Sequence, residues 1–336
     1  MTVSLVRHAV ARLAVASVAV IAAIEWLLAI VRPESGPVGV VQILAPHLAL
    51  VGVALVPVAL LRPRRAGIIA AVAIVTITAI RFGGGWLSVP AGSPAVVAVR
   101  LQVVTWNLEV GSRSGWATAE FLRATTADVV GLQELQPDAT AAIEADRVLL
   151  DRFPYRVLVP RPDVVGLGLL SRYPIAAATF ALDPAVQQAT LDLGGGRRLA
   201  IVHAHPLHAD IATLGGTRLP LGLDVDQRNA DLVEIRTLVD ARIGAGLPVL
   251  LLGDMNTTDS EPAFDRLVQG LRDVHGEVGE GTGWTWRPIR LEFLGLGVLR
   301  IDHIIVSPAI QPLSIGEACP PVGDHCLVHA EIAMPD

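Results

Sequence analysis

Three long apolar runs at the start of the chain restrict what it can fold into. They cover about residues 9–31, 38–61 and 66–87, separated by short Arg- and Pro-containing breaks. About 20 apolar residues in a helix cross the hydrocarbon core of a bilayer. A cleaved signal peptide would account for the first run alone. Buried helices of a soluble core are the alternative, which three successive runs disfavour. We therefore predict a membrane anchor over residues 1–87 with three transmembrane helices, and kinks at Pro46 and Pro57.

The arginine distribution predicts how these helices are oriented. Arginines cluster before the first run and between the second and third, at Arg7, Arg12, Arg62, Arg64 and Arg65. The loop between the first two runs carries Arg32 beside Glu34. Arginine-rich loops stay in the cytoplasm, which places the N-terminus there. Three spans then put everything after residue 87 outside the cell. The predicted protein is a multi-pass protein of the cell membrane with an extracytoplasmic C-terminal domain.

A Gly- and Pro-containing stretch, residues 88–95, is the predicted linker to a second domain over residues 96–336. Seven of the 26 basic residues and two of the 32 acidic residues precede residue 96. The second domain therefore holds 19 Arg and 30 acidic residues, a formal charge of −11. Nucleic-acid binding usually needs a basic surface. This charge therefore disfavours nucleic acid as a partner.

Polar side chains recur where apolar strands of the second domain end or begin. The run PVLLLGDMN (248–256) delivers Asp254 and Asn256 to a strand end. The same pattern gives Asn107, Glu109, Glu134, His203, His205, Asp302, Asp324 and His325. Any one of them has the alternative explanation of a polar cap on a turn. Together the carboxylates, amides and imidazoles suit an oxygen-liking divalent cation and a water nucleophile.

The order of these motifs resembles the endonuclease/exonuclease/phosphatase superfamily, which has the DNase I-like fold. The matching pieces are TWNLEVG, VVGLQEL, LGLLSRYPI, AIVHAHPL, LLLGDMNTT, RIDHIIVS and GDHCLV. The resemblance implies an α/β (α+β) two-sheet sandwich over residues 96–336, preceded here by a bundle of three transmembrane helices. Such an anchor resembles the actinobacterial membrane-anchored branch that includes VanJ-type glycopeptide-resistance proteins, tied to polyprenyl pyrophosphate metabolism. One departure is Gly323, where the family usually has Ser.

The resemblance implies a metal site made of oxygen ligands. Glu134 would be the principal ligand of Mg²⁺ or Mn²⁺. Asn107 would support the metal or the phosphate, Glu109 matches a position that is often a second acidic ligand, and Asp324 would lie near the metal.

The resemblance implies catalytic roles as well. Asp254 would align or deprotonate the attacking water, and Asn256 would orient that water or the phosphate. Asp302 would keep His325 protonated, so that His325 contacts the phosphoryl oxygens. Family spacing favours His205 over His203 as the phosphate contact. The residues expected to bind substrate are Asn107, His205 and Asn256.

These implications predict a divalent-metal-dependent hydrolase of phosphoric esters or phosphoanhydrides. An anchor raises the effective concentration of a lipid substrate, so the predicted partners are the bilayer and a lipid-linked phosphate such as undecaprenyl pyrophosphate. The alternatives are a membrane-anchored extracellular nuclease or phosphodiesterase, and a catalytically inactive membrane sensor that binds a phosphorylated ligand. The sequence leaves the oligomeric state open.

Two further features leave alternatives open. The apolar segments 211–223 and 289–299 either dock onto lipid or guide a polyprenyl chain, or else pack as ordinary core strands. Cys319 and Cys326 flank Asp324 and His325. Outside the cell this pair either forms a disulfide or stays as two thiols, because spacing alone does not establish the geometry.

Overall fold

The computed structural model describes residues 2–61, 64–87, 99–112, 115–215, 220–288 and 297–334. The chain divides into two compact units. The first comprises residues 1–84, 210–225 and 260–262, and the second comprises residues 85–209, 226–259 and 263–336. The predicted linker at 88–95 lies outside the described residues, as do 216–219 and 289–296 of the two apolar segments.

The helices of the described residues are α1 (Thr2–Val31), α2 (Gly36–Ile43), α3 (Ala45–Ala59), α4 (Arg65–Trp86), α5 (Gly115–Ala124), α6 (Pro137–Ala145), α7 (Arg147–Arg152), α8 (Asp226–Gly244), α9 (Pro262–Val268) and α10 (Val274–Val278). The strands are β1 (Val99–Asn107), β2 (Val129–Gln133), β3 (Tyr155–Val159), β4 (Leu167–Ser171), β5 (Ile175–Leu182), β6 (Ala185–Gly194), β7 (Arg197–His205), β8 (Asp210–Thr213), β9 (Pro220–Asp224), β10 (Val249–Asp254), β11 (Arg272–Asp273), β12 (Asp302–Val306), β13 (Gln311–Ala318) and β14 (Leu327–Met334).

Two of the N-terminal helices are long and apolar enough to cross a membrane, α1 over Val6–Val31 and α4 over Arg65–Trp86. The second predicted span is not one continuous helix, because α2 and α3 meet at a bend of 57°. Pro46 lies in the first turn of α3, and its missing backbone N–H removes the hydrogen bond that would continue α2 into α3. Pro57 lies inside α3 without ending it. The described helices thus give two candidate spans, or three if the bent pair counts as one.

A buried ion pair joins α1 to α4. Glu25 is fully buried, and its carboxylate accepts a hydrogen bond from the guanidinium of Arg81. Ionisable side chains inside apolar helices usually face the bundle and pair with one another. The pair explains how these two helices tolerate buried ionisable side chains at Glu25 and Arg81.

Two sheets, each of six strands within the described residues, carry the fold of the second unit. Their strand orders are β13-β14-β1-β2-β4-β3 and β11-β12-β10-β7-β6-β5. The pairs β1–β2 and β7–β10 are parallel, whereas β1–β14 and β10–β12 are antiparallel. Within each sheet, the carboxyl ends of the parallel pair therefore share an edge with the start of an antiparallel neighbour. This arrangement gathers the polar residues that follow or precede those strands.

The two sheets pack face to face through aliphatic side chains. Leu101 of the first sheet and Ile201 of the second are fully buried in this shared core. Helices α5, α6 and α7 cover the outer face of the first sheet around Trp106. Helices α8 and α9 cover the outer face of the second, with Leu232 and Phe264 buried against it. Each such aliphatic side chain stabilises the fold by about 2 kcal/mol. The predicted two-sheet sandwich is thus confirmed.

Gly253 fixes how β10 approaches its neighbour β7. Its φ of +142° is a conformation that side chains larger than hydrogen rarely adopt. A Cβ at this position would lie 1.9 Å from the carbonyl oxygen of Ala204. Close packing of the two strand ends therefore requires glycine immediately before Asp254.

We expect Gly253→Ala to destabilise the second unit by about 3 kcal/mol or more, because the new methyl group overlaps backbone. Thermal unfolding of the full chain in detergent measures this loss. Gly244→Ala at the end of α8 is the matched control, since a Cβ there meets no atom within 4 Å. Equal melting temperatures for the two variants would contradict the requirement for glycine at position 253.

Candidate active site

Asn107 links the edges of the two sheets. It is buried at the end of β1, and its Nδ2 donates to Glu134 Oε1 and to Asp254 Oδ2, each at 3.0 Å. Glu134 follows β2 in the first sheet, whereas Asp254 ends β10 in the second. The Asn107 Oδ1 atom accepts from the backbone N–H of Glu109 at 3.0 Å. One amide thereby holds two carboxylates and orients the turn after β1.

Glu134 and Glu109 both sit in tight turns with left-handed backbone, at φ values of +53° and +58°. Non-glycine residues adopt this region rarely, and it recurs at functional sites. The backbone N–H of Val110 donates to Glu134 Oε2 at 2.6 Å. The strand ends therefore place the Glu134 carboxylate beside the turn that carries Glu109.

His205 is the histidine of β7 that reaches this cluster. Its Nδ1 donates to the carbonyl of Val164 at 2.9 Å, and its Nε2 lies 3.7 Å from Asp254 Oδ2 and 3.9 Å from Glu134 Oε1. His203 is fully buried instead, with its ring nitrogens beside Gln133 and Gln187. Burial and the neighbouring His205 lower the pKa of His203 to about 3. The geometry therefore places His205, and not His203, at the strand-end cluster.

His325 lies between two buried carboxylates. Its Nδ1 donates to Asp302 Oδ2 at 2.9 Å, and its Nε2 lies 3.7 Å from Asp254 Oδ2. Asp302 is the antiparallel register partner of Asp254, so β10 and β12 present the two acids side by side. Burial alone would lower the pKa of His325, but Asp302 and Asp254 outweigh it and raise that pKa to about 10. His325 is therefore an imidazolium at neutral pH.

Asp254 is poised to exchange a proton near neutral pH. Burial and the adjacent Asp302 carboxylate raise the pKa of Asp254 to about 6, although His325 and His205 act to lower it. An acid with a pKa slightly below the working pH is ionised and still basic enough to accept a proton. Asp254 is the best-placed general base among the described residues of this cluster.

Asn256 bridges the ends of β7 and β10. Its backbone N–H donates to Asp254 Oδ1 at 2.9 Å, and its Nδ2 donates to the carbonyl of Pro206 at 3.0 Å. Arg228 donates to the backbone carbonyl of Asn256 at 3.0 Å. This bond uses one of the two N–H donors of Nδ2, so the second N–H and the amide oxygen are the groups to which the predicted role of orienting water or phosphate falls.

A disulfide between Cys319 and Cys326 closes the loop that carries Asp324 and His325. The sequence had left this pairing open. Gly323 in the same loop has a φ of +71°, where glycine is favoured over the serine that is usual in the family. The missing hydroxyl is therefore explained by the backbone conformation of the loop.

Two residues of the segment TGWTWRP hold this loop, and neither was predicted from the sequence. Trp286 Nε1 donates to Asp324 Oδ2 at 3.1 Å. The buried Arg287 donates through NH2 to the carbonyls of Pro320 and Gly323, at 2.8 Å and 2.7 Å. The sequence did mark this segment as unusual, because Trp284 and Trp286 are two of only six Trp in the chain.

Within the part of the chain that the structure describes, one cluster of three residues has the spacing of a metal site. Ligand atoms of Asp254, Asp302 and His325 lie within 4.8 Å of one another. These are residues with predicted catalytic roles, and none belongs to the predicted metal-binding set. The imidazolium of His325 already supplies a positive charge between the two carboxylates. A cation there would have to displace a proton that both acids stabilise, so the cluster suits the catalytic assignment better.

The residues predicted to bind metal have the chemistry that a hard cation needs. Glu134, Asn107, Glu109 and Asp324 all offer oxygen atoms, the ligands that Mg²⁺ and Mn²⁺ prefer. The pKa of Asp324 is raised by its burial, and the Glu134 carboxylate raises it further. A divalent cation between those two acids would relieve their repulsion. The donor set therefore fits the metal that the resemblance implies.

A two-sheet α/β sandwich with carboxylates, amides and histidines at one edge is the architecture of metal-dependent phosphoesterases. The sequence profile of the Endonuclease/Exonuclease/phosphatase family matches residues 104–325. The chain belongs to this family.

Solved structures support the fold at low sequence identity. A family member from Bacteroides thetaiotaomicron aligns with a TM-score of 0.52 and 18% identity over 71% of this chain and 99% of its own. TDP2 from C. elegans gives a TM-score of 0.57 and 16% identity over 79% of this chain and 81% of its own. D. rerio TDP2 complexed with single-strand DNA product gives 0.50 and 17%, over 70% of this chain and 99% of its own. No curated protein matches the chain.

Replacing Asp302 tests the electrostatic origin of the His325 charge. We expect Asp302→Asn to lower the pKa of His325 by about one unit or more, because a nearby carboxylate is lost. Histidine-selective ¹⁵N NMR of the full chain in detergent follows the titration. Asp240→Asn, an exposed acid of α8, is the control and should leave it unchanged. If Asp302→Asn left the titration midpoint of His325 unchanged, Asp302 would not be the group that raises the pKa of His325.

The disulfide is tested by alkylation and intact mass. Unfolded protein treated with iodoacetamide without reductant should gain no label, because both cysteines of the chain are paired. Prior reduction should add two labels. Two labels without reduction, in protein purified from the membrane fraction, would show free thiols.

Proposed function

We propose that the protein is a membrane-anchored, divalent-metal-dependent phosphohydrolase with an extracytoplasmic active site. Its proposed substrate is a lipid phosphate or pyrophosphate such as undecaprenyl pyrophosphate. The observation that carries the reaction class is the buried arrangement of His325 between Asp302 and Asp254, which supplies an acid and a base side by side. We further propose membership of the actinobacterial branch with VanJ-type proteins, and through it a role in the cell envelope and in antibiotic resistance.

The proposed reaction is in-line attack by water on phosphorus. Asp254 accepts a proton from that water, which Asn256 helps to orient. The imidazolium of His325 donates hydrogen bonds to the phosphoryl oxygens and stabilises their developing charge. Asp302 acts through His325, because it holds the ring in place and keeps it protonated. His205 and Asn107, which also lie beside Asp254 Oδ2, are the further proposed contacts of the phosphate.

The proposed metal is Mg²⁺ or Mn²⁺. Glu134 would be its principal ligand, with Asn107, Glu109 and Asp324 as supporting donors. Such a cation neutralises charge on the phosphoryl oxygens when it is bound. The side chains named above bind the phosphate, orient the attacking water and accept its proton.

Membrane anchoring supports a lipid substrate. Helices α1 and α4 expose aliphatic side chains along their length, including Leu13, Ile30, Ile69 and Ile80. Soluble proteins rarely expose apolar surface on this scale, whereas transmembrane helices require it. A site tethered to a bilayer meets lipid substrates at high effective concentration. The formal charge of −11 over residues 96–336 disfavours polyanionic nucleic acid in comparison.

The second candidate is a membrane-anchored nuclease or phosphodiesterase. It is favoured by the likeness of the fold to D. rerio TDP2, a protein solved in complex with single-strand DNA product. The third candidate, an inactive sensor of a phosphorylated ligand, would have no need of the acid and base pair at Asp254 and His325.

The discriminating experiment measures two activities of the purified full chain in detergent with Mg²⁺. We expect phosphate release from undecaprenyl pyrophosphate and no nicking of plasmid DNA. Asp254→Ala and His325→Ala should each lower the lipid activity by about a hundredfold or more, because one removes the base and the other the electrostatic donor. EDTA should abolish the activity, and added Mg²⁺ or Mn²⁺ should restore it.

Each other outcome points to a different candidate. Plasmid nicking without lipid turnover would replace the proposal by the anchored nuclease. Binding of a phosphorylated ligand that survives Asp254→Ala, without turnover of either substrate, would support the sensor. Lipid turnover that survives both substitutions would place the chemistry at another site.

A further inference from the structure

The chain that follows His205 forms a hairpin apart from both six-stranded sheets. Strands β8 and β9 pair antiparallel with each other and make a two-stranded sheet of their own. Of the two alternatives for segment 211–223, packing as ordinary core strands is therefore wrong for its described part. The hairpin belongs instead to the compact unit that contains the candidate membrane helices.

The hairpin rests on α2, the first half of the bent helix pair. Leu223 is buried, and its Cβ would lie 3.7 Å from a Cβ placed on Gly39. A Cβ on Gly222 would lie 3.8 Å from the backbone of Gly36. Small residues on both elements let their backbones approach closely. The contact fixes one edge of the hairpin to a helix of the membrane unit.

Three apolar side chains in the described part of the hairpin are exposed. Ile211 is 58% exposed, Leu214 49% and Leu221 47%. An isolated two-stranded hairpin is marginally stable in water, and exposed apolar patches mark interaction surfaces. On α2 itself, Val38, the residue before Gly39, is 51% exposed. We name Ile211, Leu214, Leu221 and Val38 the hairpin patch.

Helix α2 also holds the chain that follows Asp254. The buried Gln42 donates through Nε2 to the backbone carbonyl of Ser260, in the same compact unit. The segments that leave β7 and β10 therefore both rest on α2. These two strands end in His205 and Asp254, the residues of the second sheet that form the strand-end cluster.

We propose that the hairpin patch docks into the outer surface of the lipid bilayer and receives the hydrocarbon chain of the substrate. This inference rests on the proposed function and specifies how its site takes up a lipid. The patch belongs to the same unit as α1 and α4, whose exposed aliphatic surface requires lipid. The bilayer is therefore the partner that matches the apolar chemistry of the patch. In the chain, four residues separate His205 from Asp210, so the segment that leaves β7 leads directly into the hairpin.

Nitroxide accessibility tests the docking without any activity measurement. The native cysteines are paired, so Leu221→Cys gives one reactive thiol for a spin label. The labelled full chain is reconstituted in phosphatidylglycerol–phosphatidylethanolamine nanodiscs. We expect the label to collide more with oxygen than with a water-soluble nickel chelate. Val233→Cys on α8 is the matched control, since Val233 is 61% exposed and belongs to the other unit. Equal accessibility ratios at the two positions would overturn the proposal.

Substrate discrimination tests the delivery of lipid. In the double variant Ile211→Ser with Leu221→Ser, we expect kcat/KM for the lipid pyrophosphate to fall about tenfold or more, because two apolar contacts are lost. Hydrolysis of p-nitrophenyl phosphate should change less than about twofold, since the strand-end cluster is untouched. Val233→Ser, the matched control, should affect neither substrate.

The outcomes separate the inference from the function on which it rests. An equal loss on both substrates would show a structural role for the hairpin and overturn the inference. Unchanged lipid turnover would overturn it as well. If the wild-type chain turns over neither substrate, the proposed function fails, and the nitroxide measurement still decides whether the hairpin meets the bilayer.

Discussion

The hydrogen bond from Asn107 to Asp254 crosses from one sheet to the other, and the candidate site depends on it. Each sheet alone would present its polar residues along an open edge. The shared aliphatic core sets the two sheets face to face, and this single amide then ties their edges at one point. A second crossing, from His325 to Asp302, closes the other side. Hydrophobic packing therefore supplies the framework, and two polar bonds fix the geometry that catalysis requires.

Burial of these polar groups lowers the stability of the fold, but it also shifts the pKa values on which the proposed chemistry depends. Desolvation raises the pKa of Asp254, and the paired acids raise the pKa of His325 despite its burial. An acid and a base consequently coexist within a few ångströms at neutral pH. Glu134 and Glu109 also occupy left-handed turns, a strained backbone conformation that recurs at functional sites.

The N-terminal unit contains features that hydropathy predicts and features that it does not. Hydropathy predicted apolar helices where α1 and α4 occur, but it did not predict the 57° bend between α2 and α3. Nor did it predict the partner of Glu25, since Arg81 is far away in sequence. Because of the bend, α2 and α3 do not form one continuous span, and the hairpin packs against α2. A local proline signal marked a kink near this point without giving its angle or its consequence.

The sequence by itself predicted the two-sheet fold and the family, and it singled out candidate residues for the site. Apolar period and strand-end polarity are local, so Asn107, Glu134, Asp254 and His325 stand out without coordinates. Only the tertiary structure decided which histidine of β7 reaches the cluster, and that Trp286 and Arg287 hold the loop of Asp324. Only the fold, too, separated the β8–β9 hairpin from the core sheets. The physical reason is that these choices depend on which distant segments pack together, and hydropathy and spacing do not record that partnership.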